Sequence, residues 1–231
     1  MTPTLTRDQV RRIDELAASQ YGLPSLLLME NAGRSAAAAI DKAYGPRGAA
    51  FVLCGPGNNG GDGCVIARCL HNAGWTIRLL MTASTDRLTP DASTNFRIIE
   101  AMGVQCSVAL DQPTQKAALR TIAPQDIVID ALLGTGFKGV VRSPLHELIR
   151  LANAAPKRGM VAIDVPSGLD CDTGIPGGEA IRADLTITFV ALKRGFTATH
   201  AAPYLGRVEV ADIGAPRELV AAVTGFSEPR A

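Results

Sequence analysis

The chain has 231 residues, and 47% of them are hydrophobic, which is enough to bury one large α/β core. Its 23 basic and 22 acidic residues leave a net charge of +1 without any basic stripe, and it has only one Trp, three Tyr and six Phe. This composition argues against a nucleic-acid-binding surface. The sequence also lacks a signal-peptide core and an apolar stretch of membrane length, so we expect a cytoplasmic protein that does not bind membranes.

The first part of the chain is predicted to form two helices. Thr6 and Gln9 have the spacing of a capping box, and the apolar positions that follow recur at helical intervals until Gly22. A second helix is expected over Ser25–Lys42. Inside it, the pair Glu30-Asn31 interrupts an apolar face, either as a solvated edge or as groups that face a site.

Short apolar runs then alternate with helical segments. The expected strands begin near Phe51, Thr76, Val104, Asp126, Met160, Leu185 and Arg207, and the expected helices cover residues 90–102, 112–122, 143–155 and 216–224. Unbroken apolar runs are typical of parallel strands buried on both faces. The alternation therefore predicts a mostly parallel, doubly wound α/β sheet in one domain, followed by a frayed tail over Gly225–Ala231.

A glycine-rich run, Gly55-Pro56-Gly57-Asn58-Asn59-Gly60-Gly61-Asp62-Gly63, follows the first of these strands. Its first, third and sixth residues satisfy G-x-G-x-x-G, a pattern that brings backbone N–H groups to a phosphate at a helix N-terminus. The acidic residue that dinucleotide sites place about 20 positions later is missing, because residues 82–84 read Thr-Ala-Ser. Asn58, Asn59 and Asp62 instead add amides and a carboxylate. The alternative is a surface turn whose Asn residues tolerate positive φ.

Two later strands end in carboxylates, Asp130 and Asp164. Ligands of parallel sheets bind beyond the carboxyl ends of the strands, and a buried carboxylate is costly without a cation or donors beside it. Asp130, the Ser167 hydroxyl and the Asn59 amide oxygen form a hard-oxygen set that suits an alkali or alkaline-earth cation. Alternatively, Asp130 caps its own loop and Asp164 binds backbone N–H groups of the turn at residues 166–168.

The run Gly134-Thr135-Gly136-Phe137-Lys138-Gly139 is predicted to be a second phosphate-binding loop, in which Lys138 adds a point charge. Lys193 lies at another strand end and could reach the same crevice, but it is the weaker candidate, since a lone lysine is usually a solvated surface charge. The sequence contains no nucleophile elbow, because Ser167 sits in P-S-G-L.

Four segments together resemble the NAD(P)H-hydrate epimerase family, also called the YjeF N-terminal domain. They are residues 29–33, 55–63, 130–136 and 164–170. The resemblance implies a three-layer αβα Rossmann-like fold with extra N-terminal helices. It also implies an isomerase that interconverts the R and S forms of hydrated NADH and NADPH, called NAD(P)HX, at nicotinamide C6, so that a separate ADP- or ATP-dependent dehydratase can repair the S form. Family members commonly form homodimers.

The same resemblance implies site residues. Substrate contacts would come from Asn58, Asn59, Gly60, Gly61, Asp62, Gly134, Thr135, Gly136, Phe137, Lys138, Gly139, Val140 and Asp164. One potassium ion per subunit would be held by Asn59, Asp130 and Ser167. For the chemistry we nominate Asp164 and Asp62 as an acid–base pair, with Lys138 as electrostatic support.

Two other functions remain open from sequence. The same fold serves as a non-catalytic nucleotide- or protein-binding module in some eukaryotic relatives, so fold alone does not establish catalysis. A nicotinamide-dependent oxidoreductase loses support from the missing ribose-binding acid. The chain ends shortly after Asp212-Ile213-Gly214, about where the dehydratase domain of bifunctional relatives would begin, so we do not expect dehydratase activity from it.

Overall fold

The computed structural model describes residues 4–45 and 47–225, and these form nine strands and eight α-helices. The strands are β1 Thr4–Leu5, β2 Ala49–Cys54, β3 Thr76–Met81, β4 Gln105–Val108, β5 Asp126–Ala131, β6 Gly159–Ile163, β7 Leu185–Phe189, β8 Leu192–Lys193 and β9 Arg207–Ala211. The helices are α1 Arg7–Tyr21, α2 Ser25–Tyr44, α3 Asn58–Asn72, α4 Pro90–Ala101, α5 Gln112–Leu119, α6 Leu145–Ala154, α7 Ala202–Leu205 and α8 Arg217–Thr224. The tail predicted to fray lies, apart from Gly225, outside the described residues.

Seven strands form one parallel sheet in the order β4-β3-β2-β5-β6-β7-β9, which confirms the doubly wound prediction. The chain first builds outward from β2 to β4, and then returns to add β5 on the other side of β2. The strand order therefore reverses between β2 and β5, and a crevice opens there beyond their carboxyl ends. The sequence runs that follow these two strands are the glycine-rich run and the loop after Asp130.

Both faces of the sheet are covered by helices, as a three-layer fold requires. Successive residues of β2 point to opposite faces: Val52 joins the core beneath α1 to α4, whereas Phe51 and Leu53 join the core beneath α5 and α6. This burial on both sides explains why the strands lack the polar alternation of a half-exposed sheet.

The first helix forms as predicted. Thr6 accepts a hydrogen bond from the Gln9 backbone N–H, and the Gln9 side chain accepts one from the Thr6 N–H, so the capping box is complete. Gly22 ends the helix in the left-handed conformation, with φ of 63°. The predicted bounds of β3 are also those observed, and α4 ends one residue before the predicted stop at Met102.

The glycine-rich run differs from the prediction. We expected a turn before a helix over Cys64–Leu70, but α3 already begins at Asn58, so the polar residues lie in its first turns. The glycines allow neighbouring segments to pack closely there. A Cβ on Gly60 would lie 1.9 Å from the Gly55 carbonyl oxygen, and one on Gly61 would lie 2.6 Å from the Met29 sulfur.

Replacing Gly60 with alanine is therefore expected to destabilise the protein. The added methyl group meets backbone rather than a flexible side chain, so α3 must move away from the end of β2, at a cost of about 1–3 kcal/mol. Gly57→Ala is the matched control, because a Cβ there meets nothing within 4 Å; its cost should be less than about 1 kcal/mol. Urea unfolding measures both variants, and equal losses would contradict the packing explanation.

The sequence predicts a β-rich run over Leu185–Leu192, and the structure divides this run into two strands. β7 ends at Phe189 because Val190 adopts a φ of 67°, which a β-branched residue rarely does. The chain then starts the short strand β8, which pairs in parallel with β1, with Leu5 opposite Lys193. Thr4 and Leu5 are thereby attached beside the carboxyl edge of the sheet.

Candidate active site

A cavity of about 530 Å³ lies at the carboxyl edge of the sheet, a volume that suits a small molecule. Its walls come from α1, α2, the start of α3, the loop at residues 132–137, the end of β6 and residues 189–193. Predicted site residues that line it are Asn58, Asn59, Asp62, Gly134, Thr135, Gly136, Phe137 and Asp164. Gly60, Gly61, Lys138, Gly139 and Val140 are not part of the lining, and neither are Asp130 and Ser167, which are buried.

The N-terminus of α3 forms one wall of the cavity. Gly57, Asn58 and Asn59 face it, so the unpaired N–H groups and the positive end of the helix dipole point toward the space. The Asn58 side chain is fixed by the hydroxyl of Thr89, which donates to its Oδ1 at 2.8 Å. This wall is suited to an anion.

Asp130 and Ser167 form a buried pair next to this wall. The Ser167 Oγ lies 2.6 Å from Asp130 Oδ1, and the Ser167 N–H donates to Oδ2 at 2.8 Å. Asn59 joins them through the Leu133 carbonyl, to which its Nδ2 donates at 3.0 Å. That carbonyl lies 3.3 Å from Ser167 Oγ. The structure thus brings the three predicted potassium ligands together. Asp130 also accepts from the Leu132 N–H at 3.2 Å, which is the loop cap of the alternative interpretation, whereas Asp164 accepts from the Phe189 N–H instead of the turn at residues 166–168.

The oxygen atoms of this cluster are suitable ligands for a hard cation. Asn59 Oδ1 is buried and has no hydrogen-bond partner in the described residues, an expensive arrangement unless a ligand meets it. Burial raises the pKa of Asp130 to about 6, although hydrogen bonds from Ser167 and Leu132 oppose the shift. A carboxylate, a hydroxyl and an amide oxygen are ligands that alkali cations accept.

Asp164 is held at the end of β6 with a φ of 63°, a conformation that Asp tolerates better than most residues. Its Oδ1 lies 2.8 Å from the Lys193 ammonium and accepts from Thr188 and the Phe189 N–H, both at 3.3 Å. Its Oδ2 has no partner among the described residues, and the side chain lines the cavity. Only one of its oxygens is therefore available to a ligand.

Lys193, the weaker candidate, does lie at this crevice, since it lines the cavity, and the alternative of a solvated surface charge was wrong. It is fully buried, and its ammonium also donates to Thr188 Oγ1 at 2.8 Å and to the Phe189 carbonyl at 3.0 Å. A lysine can be buried in this way only because a carboxylate and several carbonyls replace its water. The turn at Val190 bends the backbone so that these carbonyls reach it.

Asp62 lies in the second turn of α3 and reaches the cavity without a hydrogen-bond or ion-pair partner among the described residues. Burial, and then the negative charges of Asp164 and Asp14, raise the pKa of Asp62 well above its usual range. These conditions favour the protonated carboxylic acid, which can donate a proton to a ligand.

Asp14 on α1 also lines the cavity, and the sequence prediction did not include it. Asp14 keeps contact with solvent at the open cavity, yet partial desolvation by the surrounding protein, followed by the charge of Asp164, raises the pKa of Asp14 to about 6. The sequence did contain an indication of this role. Asp14 lies four residues after Val10 and three before Ala17, so an acidic residue falls at helical spacing among the apolar positions of α1.

Arg7 holds the predicted phosphate-binding loop at residues 134–139 in place. Its guanidinium donates to the carbonyls of Thr135 and Phe137, at 2.7 and 2.8 Å, and forms ion pairs with Asp170 and Asp172. Lys138, in contrast, is exposed and outside the cavity lining. The cation that touches this loop in the structure is therefore Arg7, at the start of α1.

The model of the family described as YjeF-related protein N-terminus matches residues 25–195, which is most of the chain. This chain belongs to the YjeF N-terminal family. The elements that the match leaves out, α1 and α8 among them, include the helix that carries Asp14.

Relatives of this YjeF N-terminal protein agree with the match. The chain is 42% identical over 218 residues to the NAD(P)H-hydrate epimerase of Rhodopirellula baltica, covering 94% of this chain and 87% of the relative. It is 39% identical to the bifunctional NAD(P)H-hydrate repair enzyme Nnr of Moorella thermoacetica, and spans 41% of that longer enzyme. The crystal structure of yeast YNL200c has the same fold, with a TM-score of 0.78 at 24% identity over 96% of this chain and 93% of the yeast chain.

Proposed function

We propose that this YjeF N-terminal protein is an NAD(P)H-hydrate epimerase, an isomerase that interconverts the R and S forms of NADHX and NADPHX at nicotinamide C6. The observation that carries the proposal is its 42% identity to the Rhodopirellula baltica epimerase over nearly the whole of both chains. The cavity supports it, because it combines an anion-binding wall with carboxyl groups.

The two ends of the substrate match different parts of the cavity. The pyrophosphate suits the N-terminus of α3 and the loop that Arg7 holds, where N–H groups and the helix dipole favour negative charge. The nicotinamide ring then lies toward Asp62 and Asp164, whose carboxyl groups can reach its hydroxyl. In this arrangement Lys138 attracts the anion from outside the cavity rather than touching the reacting ring.

The chemistry requires no oxidation or reduction. C6 carries both a hydroxyl and the ring nitrogen, so a protonated hydroxyl leaves as water while the nitrogen lone pair forms an iminium. Water then adds to the other face and loses a proton. An acid and a base in a fixed pocket each typically raise the rate by a factor of about 10²–10⁴. Asp62, whose pKa is raised, suits the acid, and the ion-paired Asp164 places a negative charge beside the cation that develops.

We also propose that Asn59, Asp130 and Ser167 hold the potassium ion that the family resemblance implies. The orphaned Asn59 Oδ1 beside a buried carboxylate supports this site. When bound, the ion would supply positive charge that compensates Asp130 and joins the start of α3 to the loop at residues 132–137.

Potassium is expected to raise the melting temperature of the protein relative to the same concentration of tetramethylammonium, because a ligand that binds only the folded state stabilises it. Asp130→Asn should abolish this difference, since it removes the only charge of the set. Asp111→Asn, at the exposed N-cap of α5, should keep it. A potassium effect of equal size in the parent protein and in Asp130→Asn would contradict the site.

Epimerase activity is tested with purified (R)-NADHX, incubated with the protein in potassium buffer, by following the S form by chromatography. Equilibration faster than the no-enzyme control is the expected result, and the same assay with (R)-NADPHX compares the two substrates. No acceleration by a folded, potassium-loaded sample would overturn the proposal in favour of a non-catalytic binding module.

We propose further that the protein works as a cytoplasmic homodimer and passes its product to a separate ADP- or ATP-dependent dehydratase. Leu26 and Leu27 are exposed at the start of α2 and offer apolar surface for a second copy. Sedimentation of the purified protein tests the dimer. None of the described helices is long and apolar enough to cross a membrane.

A further inference from the structure

Three carboxyl groups line the cavity, and they differ in what surrounds them. Asp164 already shares one oxygen with Lys193, Thr188 and a backbone N–H. Asp14 and Asp62 have neither a hydrogen bond nor an ion pair among the described residues. A carboxyl group free of partners is the one that can exchange a proton with a bound molecule.

The two free carboxyl groups reach the cavity from different elements. Asp14 comes from the middle of α1, whereas Asp62 comes from the start of α3, next to the end of β2. Both line the same cavity, and the negative charge of Asp14 contributes to the raised pKa of Asp62. The other charged groups that act on Asp14 are Asp164, Lys193 and its helix neighbour Glu15.

An epimerase needs proton-transfer groups on both sides of the ring, since water leaves from one face and returns to the other. Asp62 can serve only the face that it reaches. Asp164, bound to Lys193, is the least free of the three carboxyl groups to move a proton.

We propose that Asp14 is a catalytic residue that exchanges protons with the substrate hydroxyl on the ring face opposite to Asp62, an inference that rests on the proposed epimerase function. In one direction the Asp62 carboxylic acid gives its proton to the hydroxyl, the C6–O bond breaks with its electron pair on oxygen, and water departs. The nitrogen lone pair forms the N1=C6 bond. Water on the other face then donates an electron pair to C6, the N1=C6 pair returns to nitrogen, and the Asp14 carboxylate takes the surplus proton.

The reverse reaction exchanges the two roles, so each carboxyl group is an acid for one epimer and a base for the other. Each then needs a pKa above that of an ordinary carboxyl group, and the pKa values of both groups are raised in that direction. The incoming water is solvent, and no oxidant or reductant takes part.

The test is Asp14→Asn, with substrate whose C6 hydroxyl carries oxygen-18. We expect epimerisation to fall by about 10²-fold or more, with little change in KM. Loss of the label to solvent should persist for one epimer, because Asp62 can still expel water and readmit it on the same face. Asp62→Asn should show the complementary pattern and keep the exchange of the other epimer. All rates are taken above the no-enzyme control.

Glu15→Gln is the matched control, since Glu15 neighbours Asp14 on α1 but does not line the cavity; its activity should equal that of the parent. At pH 8, the melting temperature of Asp14→Asn should be no lower than that of the parent protein. Because the pKa of Asp14 is raised to about 6, its contribution to stability is present below its unfolded pKa and is lost as the pH rises through 6. Asp14→Ser provides a second variant if the amide disturbs folding.

Parental turnover in Asp14→Asn and Asp14→Ser would overturn the assignment while leaving the epimerase in place. Equal loss of label exchange from both epimers would also overturn it, because that pattern indicates a role in folding or binding. If the parent protein itself does not epimerise NADHX, both the assignment and the proposed function fail.

Discussion

Asp62→Asn is expected to lower kcat for NADHX epimerisation by about 10²–10⁴-fold, the range typical for loss of a general acid or base. The amide keeps the size of the carboxyl group but cannot give up a proton. Because Asp62 has no partner among the described residues, the change breaks no hydrogen bond of the fold. KM should change little, since the pyrophosphate contacts lie elsewhere.

Two measurements separate this result from a general loss of structure. Glu100→Gln, on the exposed side of α4, removes a carboxylate far from the cavity lining and should retain full activity. The parental rate should also decline as the pH rises through the elevated pKa of Asp62, because the acid form is then lost. Parental kcat in Asp62→Asn would show that another group supplies the proton.

Lys193→Met is expected to destabilise the protein by about 3–5 kcal/mol, the usual cost of removing one partner from a buried ion pair. Lys193 is fully buried and Asp164 is 9% exposed, so the carboxylate left behind cannot recover its water. Thr188 and the Phe189 carbonyl would also lose their shared donor. Urea unfolding at neutral pH measures the loss.

A double variant tests whether the ion pair is the cause. Lys193→Met combined with Asp164→Asn removes both charges and should cost clearly less than Lys193→Met alone. Lys116→Met, on the exposed face of α5, is the control for losing a lysine and should change stability by less than about 0.5 kcal/mol. If the loss of unfolding free energy in the double variant equals the sum of the losses in the two single variants, the two charges do not stabilise each other.

The strands, the helices and the parallel sheet could be predicted because they follow from local patterns. The bounds of β3 and the capping box at Thr6 are properties of a few adjacent residues, and the structure has them where they were expected. The meeting of Asn59, Asp130 and Ser167 could also be expected, since all three lie at or just beyond the carboxyl ends of neighbouring parallel strands.

The surroundings of Lys193 and Asp14 could not be predicted in the same way. A lysine is buried only when distant acceptors surround it, and the φ of Val190 that brings those acceptors near leaves no local pattern in the sequence. Asp14 becomes part of the cavity because α1 packs over the carboxyl edge of a sheet whose strands come much later in the chain. Helix periodicity shows which face of α1 is buried, but not what that face covers.

The pairing of β1 with β8 has a consequence for the order in which the protein folds. Leu5 lies opposite Lys193, and Arg7 holds a loop that follows β5, so the contacts of β1 and of the start of α1 depend on residues far later in the chain. Contacts this distant in sequence close late in folding, because their loop entropy is lost before they add stability. A partly folded chain therefore has its central strands before it has a closed cavity, and it cannot bind substrate until β8 has paired with β1.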